Sequence, residues 1–121
     1  MRAPETIRQR RDFLAANQGR RVPSAGFVLL VRQRDDGNPA MRAGYTVTKK
    51  IGNSVTRNRL KRRLRAIVRC TLADHGHAGA DHVLIGRDGG LTRDFAQLQA
   101  DLEKALAKAH LPPRPRGEGG R

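Results

Sequence analysis

The sequence predicts a small α+β domain with the element order α-β-β-β-α-β-α. Three observations carry that reading: strand-like apolar runs at Gly26–Arg32, Met41–Thr48 and Asp81–Gly86, an amphipathic stretch free of Gly and Pro from Asn53 or Ser54 to Leu72, and a second helical stripe between Thr92 and Ala109. At 121 residues the chain holds roughly one domain, which excludes an enzyme with separate cofactor and substrate halves.

In chain order, residues 1–6 read as a flexible lead into a domain spanning 7–110. Ile7 to about Gln18 is predicted as a short helix with Ile7, Phe13 and Leu14 on its apolar side, ended by Gly19. Arg20-Arg21-Val22, ahead of Pro23, is a basic turn or edge strand. The run from Gly26 to Arg32 is a strand, and the polar segment Arg34 to Pro39 is a hairpin-type connection. Met41–Thr48 is then the neighbouring antiparallel strand. Gly52 permits a turn, and Asn53 or Ser54 caps the long helix. The Gly- and His-containing stretch His75–Ala80 leads to the strand Asp81–Gly86, and Asp88-Gly89-Gly90 is a turn. Thr92 caps the final helix, where Phe95, Leu98, Leu102, Ala105 and Leu106 have core spacing and Asp94, Asp101 and Glu103 mark a scaffold element. Residues 111–121 form a basic Pro/Gly tail that cannot build a core and is expected to be disordered.

Charge narrows the function. Lys and Arg total 25 against 11 Asp and Glu, a formal +14, which predicts a polyanionic partner. Arginines outnumber lysines 20 to 5, and a planar five-donor guanidinium suits phosphate and base contacts, so nucleic acid is favoured. The longest apolar run, Phe27–Val31, is far short of the roughly 20 residues that cross hydrocarbon, so no membrane partner is expected. The first 20 residues lack the apolar block of a secretory signal, and the lone Cys70 cannot form an internal disulfide. A cytoplasmic protein is the simplest reading.

The long helix concentrates this charge. Nine Lys and Arg and no acid fall between Lys49 and Arg69. At about 100° per residue, Leu60, Leu64, Ile67, Val68 and Thr71 form a core stripe, with Lys61, Arg62, Arg65 and Arg69 beyond it and Arg59 and Arg63 on its other flank. Like charges repeat at i,i+4 through Arg57, Lys61, Arg65 and Arg69, a repulsion that an anionic partner would relieve. Asn58 is an uncharged donor and acceptor within that face. A helix-turn-helix reading fails because strands, not a short helix and turn, precede this helix.

Other residues carry less. Phe13, Phe27 and Tyr45 suit either base stacking or the core. His75, His77 and His82 lack a matching ligand constellation and read as surface histidines, and Cys70 reads as a semi-buried helical thiol without a base. No catalytic residue and no metal ligand is assigned, so any RNA cleavage must draw its reactive groups from a partner.

The segment Thr48-Lys49-Lys50-Ile51-Gly52-Asn53-Ser54-Val55-Thr56-Arg57-Asn58-Arg59-Leu60-Lys61-Arg62-Arg63-Leu64-Arg65 closely resembles the signature of the protein subunit of bacterial ribonuclease P. The similarity extends to Arg10-Arg11-Asp12-Phe13, the strand Phe27–Val31, the strand Asp81–Gly86 and the final helix, about residues 7–108 in all. It implies a two-layer α+β sandwich with a four-stranded sheet, a left-handed crossover and a ribosomal-protein-like topology. It also implies a noncatalytic, cofactor-free protein that binds a catalytic RNA and the 5′ leader of precursor tRNA, while the RNA hydrolyses the precursor with magnesium; DNA is not an expected partner.

Carried onto this chain, the RNA-binding set is Lys49, Lys50, Asn53, Arg57, Asn58, Arg59, Lys61, Arg62, Arg63, Arg65 and Arg69, part of which helps organise the bound metal. Phe13, Phe27, Asn17 and Leu30 border the leader cleft, the last two where the family often has aromatic residues. Charge and size alone fit a ribosome-associated RNA-binding or RNA-folding protein as well. The ordered Lys-Lys-Ile-Gly-Asn and Arg-Asn-Arg pattern favours ribonuclease P.

Overall fold

The computed structural model describes residues 4–110, so the expected tail at 111–121 and the first three residues lie outside it. The elements are β1 (Glu5–Thr6), α1 (Arg10–Ala16), β2 (Arg20–Pro23), β3 (Phe27–Gln33), β4 (Arg42–Thr46), a 3-10 turn (Lys49–Ile51), α2 (Ser54–His75), β5 (Ala80–Gly86), the short α3 (Gly89–Thr92) and α4 (Phe95–His110). They build one mixed sheet of five strands in the order β1-β4-β5-β3-β2. The fifth strand comes from the expected flexible lead: Glu5 and Thr6 pair in parallel with Arg42 and Ala43.

Side-chain alternation along the strands separates two apolar clusters. Phe27, Leu29, Val31, Ala43 and Leu84 face α2 and α4 in the main core, whereas Val28, Leu30 and Val83 face α1 on the other side, with Ile7 and Ala16. On α2, Leu60, Leu64, Ile67, Val68, Thr71 and Leu72 are buried. Each buried Leu or Ile contributes about 1.5–3 kcal/mol. That exceeds the few tenths lost to each like-charged i,i+4 pair, so the helix stands despite its charge.

Four expectations from the sequence differ from the structure. The 34–39 connection is not a hairpin, because β5 inserts between β3 and β4, antiparallel to the first and parallel to the second. Period-2 patterning reports which face a side chain takes but not which strand lies beside it. Asp94, not Thr92, caps α4, accepting from the Ala96 N–H at 3.2 Å, and Phe95 at the helix start is exposed rather than in the core. Finally, α1 is only seven residues long, and Ile7 precedes it in extended chain that donates to the Ala43 carbonyl at 3.0 Å.

The start of β5 carries two buried polar groups on opposite faces. Asp81 lies in register with Arg32 of β3 and Arg42 of β4. Arg42 Nε and Nη2 reach its carboxylate at 2.6 and 2.7 Å, and Arg34 Nη1 reaches it at 3.0 Å. Burial pushes the Asp81 carboxyl up, but the hydrogen bonds from Arg42 and Arg34 outweigh it and hold the group below the usual range. Arg32 and Arg42 continue outward to Asp12 of α1 at 3.9 and 3.5 Å, tying that short helix to the sheet.

His77 and His82 are buried rather than on the surface. His82 Nε2 accepts from the His77 N–H at 3.1 Å, so Nδ1 carries the proton and donates to the Arg42 carbonyl at 3.1 Å. His77 Nε2 sits 3.0 Å from the Leu106 carbonyl of α4. Burial pushes the His82 imidazole down to about 4 from 6.5. The folded value lies below the unfolded one, so the neutral ring's stability is complete above about pH 6.5 and is lost as pH falls toward 4, by about 3 kcal/mol in all. Denaturant titrations stepped through that window should show this loss, and His82→Gln should flatten most of it. Identical pH dependence in the two proteins would assign the loss to other groups.

Candidate nucleic-acid interface

The entry to α2 is set by Gly52, whose φ of 149° favours glycine, and by Asn53, whose side chain accepts from the Thr56 N–H at 2.9 Å. No acid occupies the first turn, so the positive end of the helix dipole adds to the side-chain charge. Asn58, Arg59, Arg62, Arg65 and Arg69 are all exposed and fall within about 120° of one another around the helix. Among the described residues, no carboxylate lies within ion-pair distance of these arginines or of Arg57 and Lys61. The carboxylates that do pair serve the fold, with Asp12, Asp36 and Asp81 on Arg32, Arg34 and Arg42, and Asp101 on Arg93.

Beside this face runs a cleft of about 550 Å³. Its floor is the α1 side of the sheet, through Leu30, Val83 and Ile85; α1 and its C-cap supply Phe13, Leu14 and Asn17, and β4 and its exit supply Tyr45, Thr46 and Val47. Arg8, Arg10 and Lys61 add positive charge to the lining. Phe13 is seated over Gly44, where a Cβ would come within 2.7 Å of two ring atoms. Arg65 lies over the Tyr45 ring at 5.4 Å and so joins the helix face to the cleft. Burial raises the Tyr45 phenol's pKa against the pull of Arg65 and Arg69, so the ring stays neutral there.

Most predicted site residues converge. Lys49, Lys50 and Asn53 are exposed on the turn and cap before α2, Arg57 and Lys61 are half-buried on its cleft side, and Arg57 Nε is buried with no hydrogen-bond partner among the described residues. Phe13, Asn17 and Leu30 meet in the cleft. Phe27 does not: it is fully buried among Leu29, Leu60 and Leu98 on the opposite face of β3. Strand alternation forbids Phe27 and Leu30 from sharing a face, three positions apart as they are. Arg63 also turns away from the basic face, its guanidinium donating to the Gly90 and Arg93 carbonyls and clamping α3 onto α2. Cys70 is exposed rather than semi-buried. Arg8, Arg10, Leu14, Thr46, Val47, Val83 and Ile85 were missed as cleft residues, although the alternation of Leu30 with Phe27, applied to β5, points to Val83 and Ile85.

Comparison with known proteins agrees with this geometry. The family model described as Ribonuclease P matches residues 1–110. The ribonuclease P protein component of Erythrobacter litoralis is 52% identical over 106 residues, covering 88% of this chain and 86% of that protein. That of Gluconacetobacter diazotrophicus is 52% identical, covering 85% and 89%. Among solved structures, the RNase P protein from Thermotoga maritima superposes with a TM-score of 0.72 at 32% identity, covering 86% of this chain and 96% of that one. The Staphylococcus aureus RNase P protein gives 0.71 at 28%, covering 87% and 94%. The chain belongs to the ribonuclease P protein family, RNA-binding subunits that assist a catalytic RNA in tRNA 5′ processing.

Proposed function

We propose that the two halves of the interface divide the work: the outer face of α2 lies on phosphates of the catalytic RNA, and the cleft holds the single-stranded 5′ leader of precursor tRNA. The observation that carries this reading is the continuous stripe from Asn58 to Arg69, unpaired by any carboxylate among the described residues and joined to the cleft through Arg65 and Tyr45. An apolar floor of Leu30, Val83 and Ile85 suits unstacked base faces, which a duplex does not offer, and the cations at its margin suit the backbone of the same strand. Arg57, Arg59, Lys61, Arg62 and Arg65 are donors only, so their contribution to bound metal is to order the phosphates around it. The magnesium ions are assigned to the RNA, whose phosphate oxygens are the ligands such hard ions take. The reaction is assigned to the cytoplasm, and no helix among the described residues is long and apolar enough to cross a membrane.

Two sets of variants test the division. Arg65→Ala should weaken binding to the catalytic RNA and lower the slope of log affinity against log salt by about one, since one phosphate contact and its released counterion are lost. An unchanged slope would put Arg65 outside the interface. Phe13→Ala should weaken binding of precursor tRNA by ~1–3 kcal/mol for one stacked base and leave mature tRNA unaffected. Phe27→Ala should instead lower fold stability by about 3–5 kcal/mol without changing the precursor-to-mature ratio of the folded fraction. Parallel affinities and thermal melts separate the two, and a selective leader defect from Phe27 rather than Phe13 would reverse the assignment of the two sheet faces.

A further inference from the structure

A second cationic surface lies away from both α2's outer face and the cleft. Between the end of β2 and α4 runs a groove of about 100 Å³ lined by Val22, Pro23, Ser24, Asp101, Lys104, Ala105 and Lys108. Two arginines close its ends: Arg20 donates to the Lys108 carbonyl at 3.1 Å, and Arg87 donates to the Ser24 carbonyl at 3.1 Å. The Arg87 guanidinium is thus positioned by a neutral main-chain oxygen, which leaves its charge uncancelled by that contact. Asp101, the one carboxylate in the lining, is held by Arg93. Lys104 and Lys108 are exposed one helical turn apart, and among the described residues neither has a carboxylate within ion-pair distance. The pair repeats once the like-charge i,i+4 spacing of α2.

Position decides which anion. The cleft opens on the α1 face of the sheet near β4, whereas this groove lies on the α4 side at β2, the strand at the opposite edge. A leader strand seated in the cleft would have to pass around the sheet to reach it. We propose that the groove between β2 and α4 is a second phosphate-binding surface for the catalytic RNA, with Lys104, Lys108 and Arg87 contacting a backbone segment distinct from the one on α2. The proposal rests on the RNA-binding reading above and adds a second point of attachment, so that the domain is held by the RNA from two sides.

The test is a salt titration of the full chain with a bacterial ribonuclease P RNA. Lys104→Ala/Lys108→Ala should lower the salt slope by about two and weaken affinity at every salt concentration. The melting temperature should hold, and Lys104→Arg/Lys108→Arg should restore binding because the charge returns. The precursor-to-mature tRNA ratio, which reads the cleft, should stay at its wild-type value. Wild-type affinity and slope in the alanine pair, or a loss that the arginine pair fails to rescue, would overturn the proposal. Arg65→Ala measured alongside reads the α2 face separately, so failure of one surface is distinguishable from failure of the other.

Discussion

The buried carboxylate of Asp81 is the constraint on which the sheet and the cleft both depend. It stands between Arg32 and Arg42 across two ladders of opposite sense, one antiparallel and one parallel. A slip of one residue in either ladder would turn Asp81 away from its arginine and into the apolar layer under α2. Arg34 adds a third hand, since besides Asp81 it donates to the Asn38 and Ala40 carbonyls and so folds the 34–40 connection back over the sheet end. The network reaches Asp12, and through it the short α1 that walls the cleft. Seven residues do not hold a helix in water by themselves. The position of α1 therefore comes from Asp12 on one side and from the Phe13 ring seated over Gly44 on the other.

Seen this way, the surplus of arginine resolves into populations with different work. Arg32, Arg34, Arg42 and Arg93 are satisfied by carboxylates, and Arg63 by carbonyls, all within the fold. Arg59, Arg62, Arg65 and Arg69 have no such partner among the described residues and share one helix face. The same residue type thus fastens the fold or stays exposed on its surface according to whether the fold supplies an acceptor. Arg65 spans the boundary, since its contact with the Tyr45 ring joins the helix face to the cleft.

Much of this was legible in the sequence, for particular reasons. The long helix was readable because its stripe of Leu and Ile and its run of cations have the same 3.6-residue period, with Gly52 and Asn53 marking where it starts. The order of strands was not. The placement of β5 between β3 and β4 is fixed by pairing partners, which leave no local trace in the 34–40 connection. The family resemblance puts Phe27 at the cleft, whereas its parity with Leu29 and Val31 places it on the helix-facing side. The burial of His77 and His82 was hidden because each is satisfied by a backbone group brought from a distant element, Leu106 for one and Arg42 for the other. Arg63 could not be told from its neighbours by type, only by its side of the helix, where α3 supplies carbonyls.

The central claim is that one RNA lies on α2 while a different strand occupies the cleft. Cys70, exposed beside Arg69, and Asn17, exposed in the cleft wall, provide a direct measurement. An iron chelate that generates hydroxyl radicals is attached to Cys70 in one preparation and to the cysteine of an Asn17→Cys/Cys70→Ser variant in the other, each assembled with the catalytic RNA and precursor tRNA. The account predicts backbone cuts in the catalytic RNA from the Cys70 probe and cuts in the 5′ leader from the cleft probe. Cuts confined to the same strand from both positions, or a leader cut from the α2 probe alone, would contradict it.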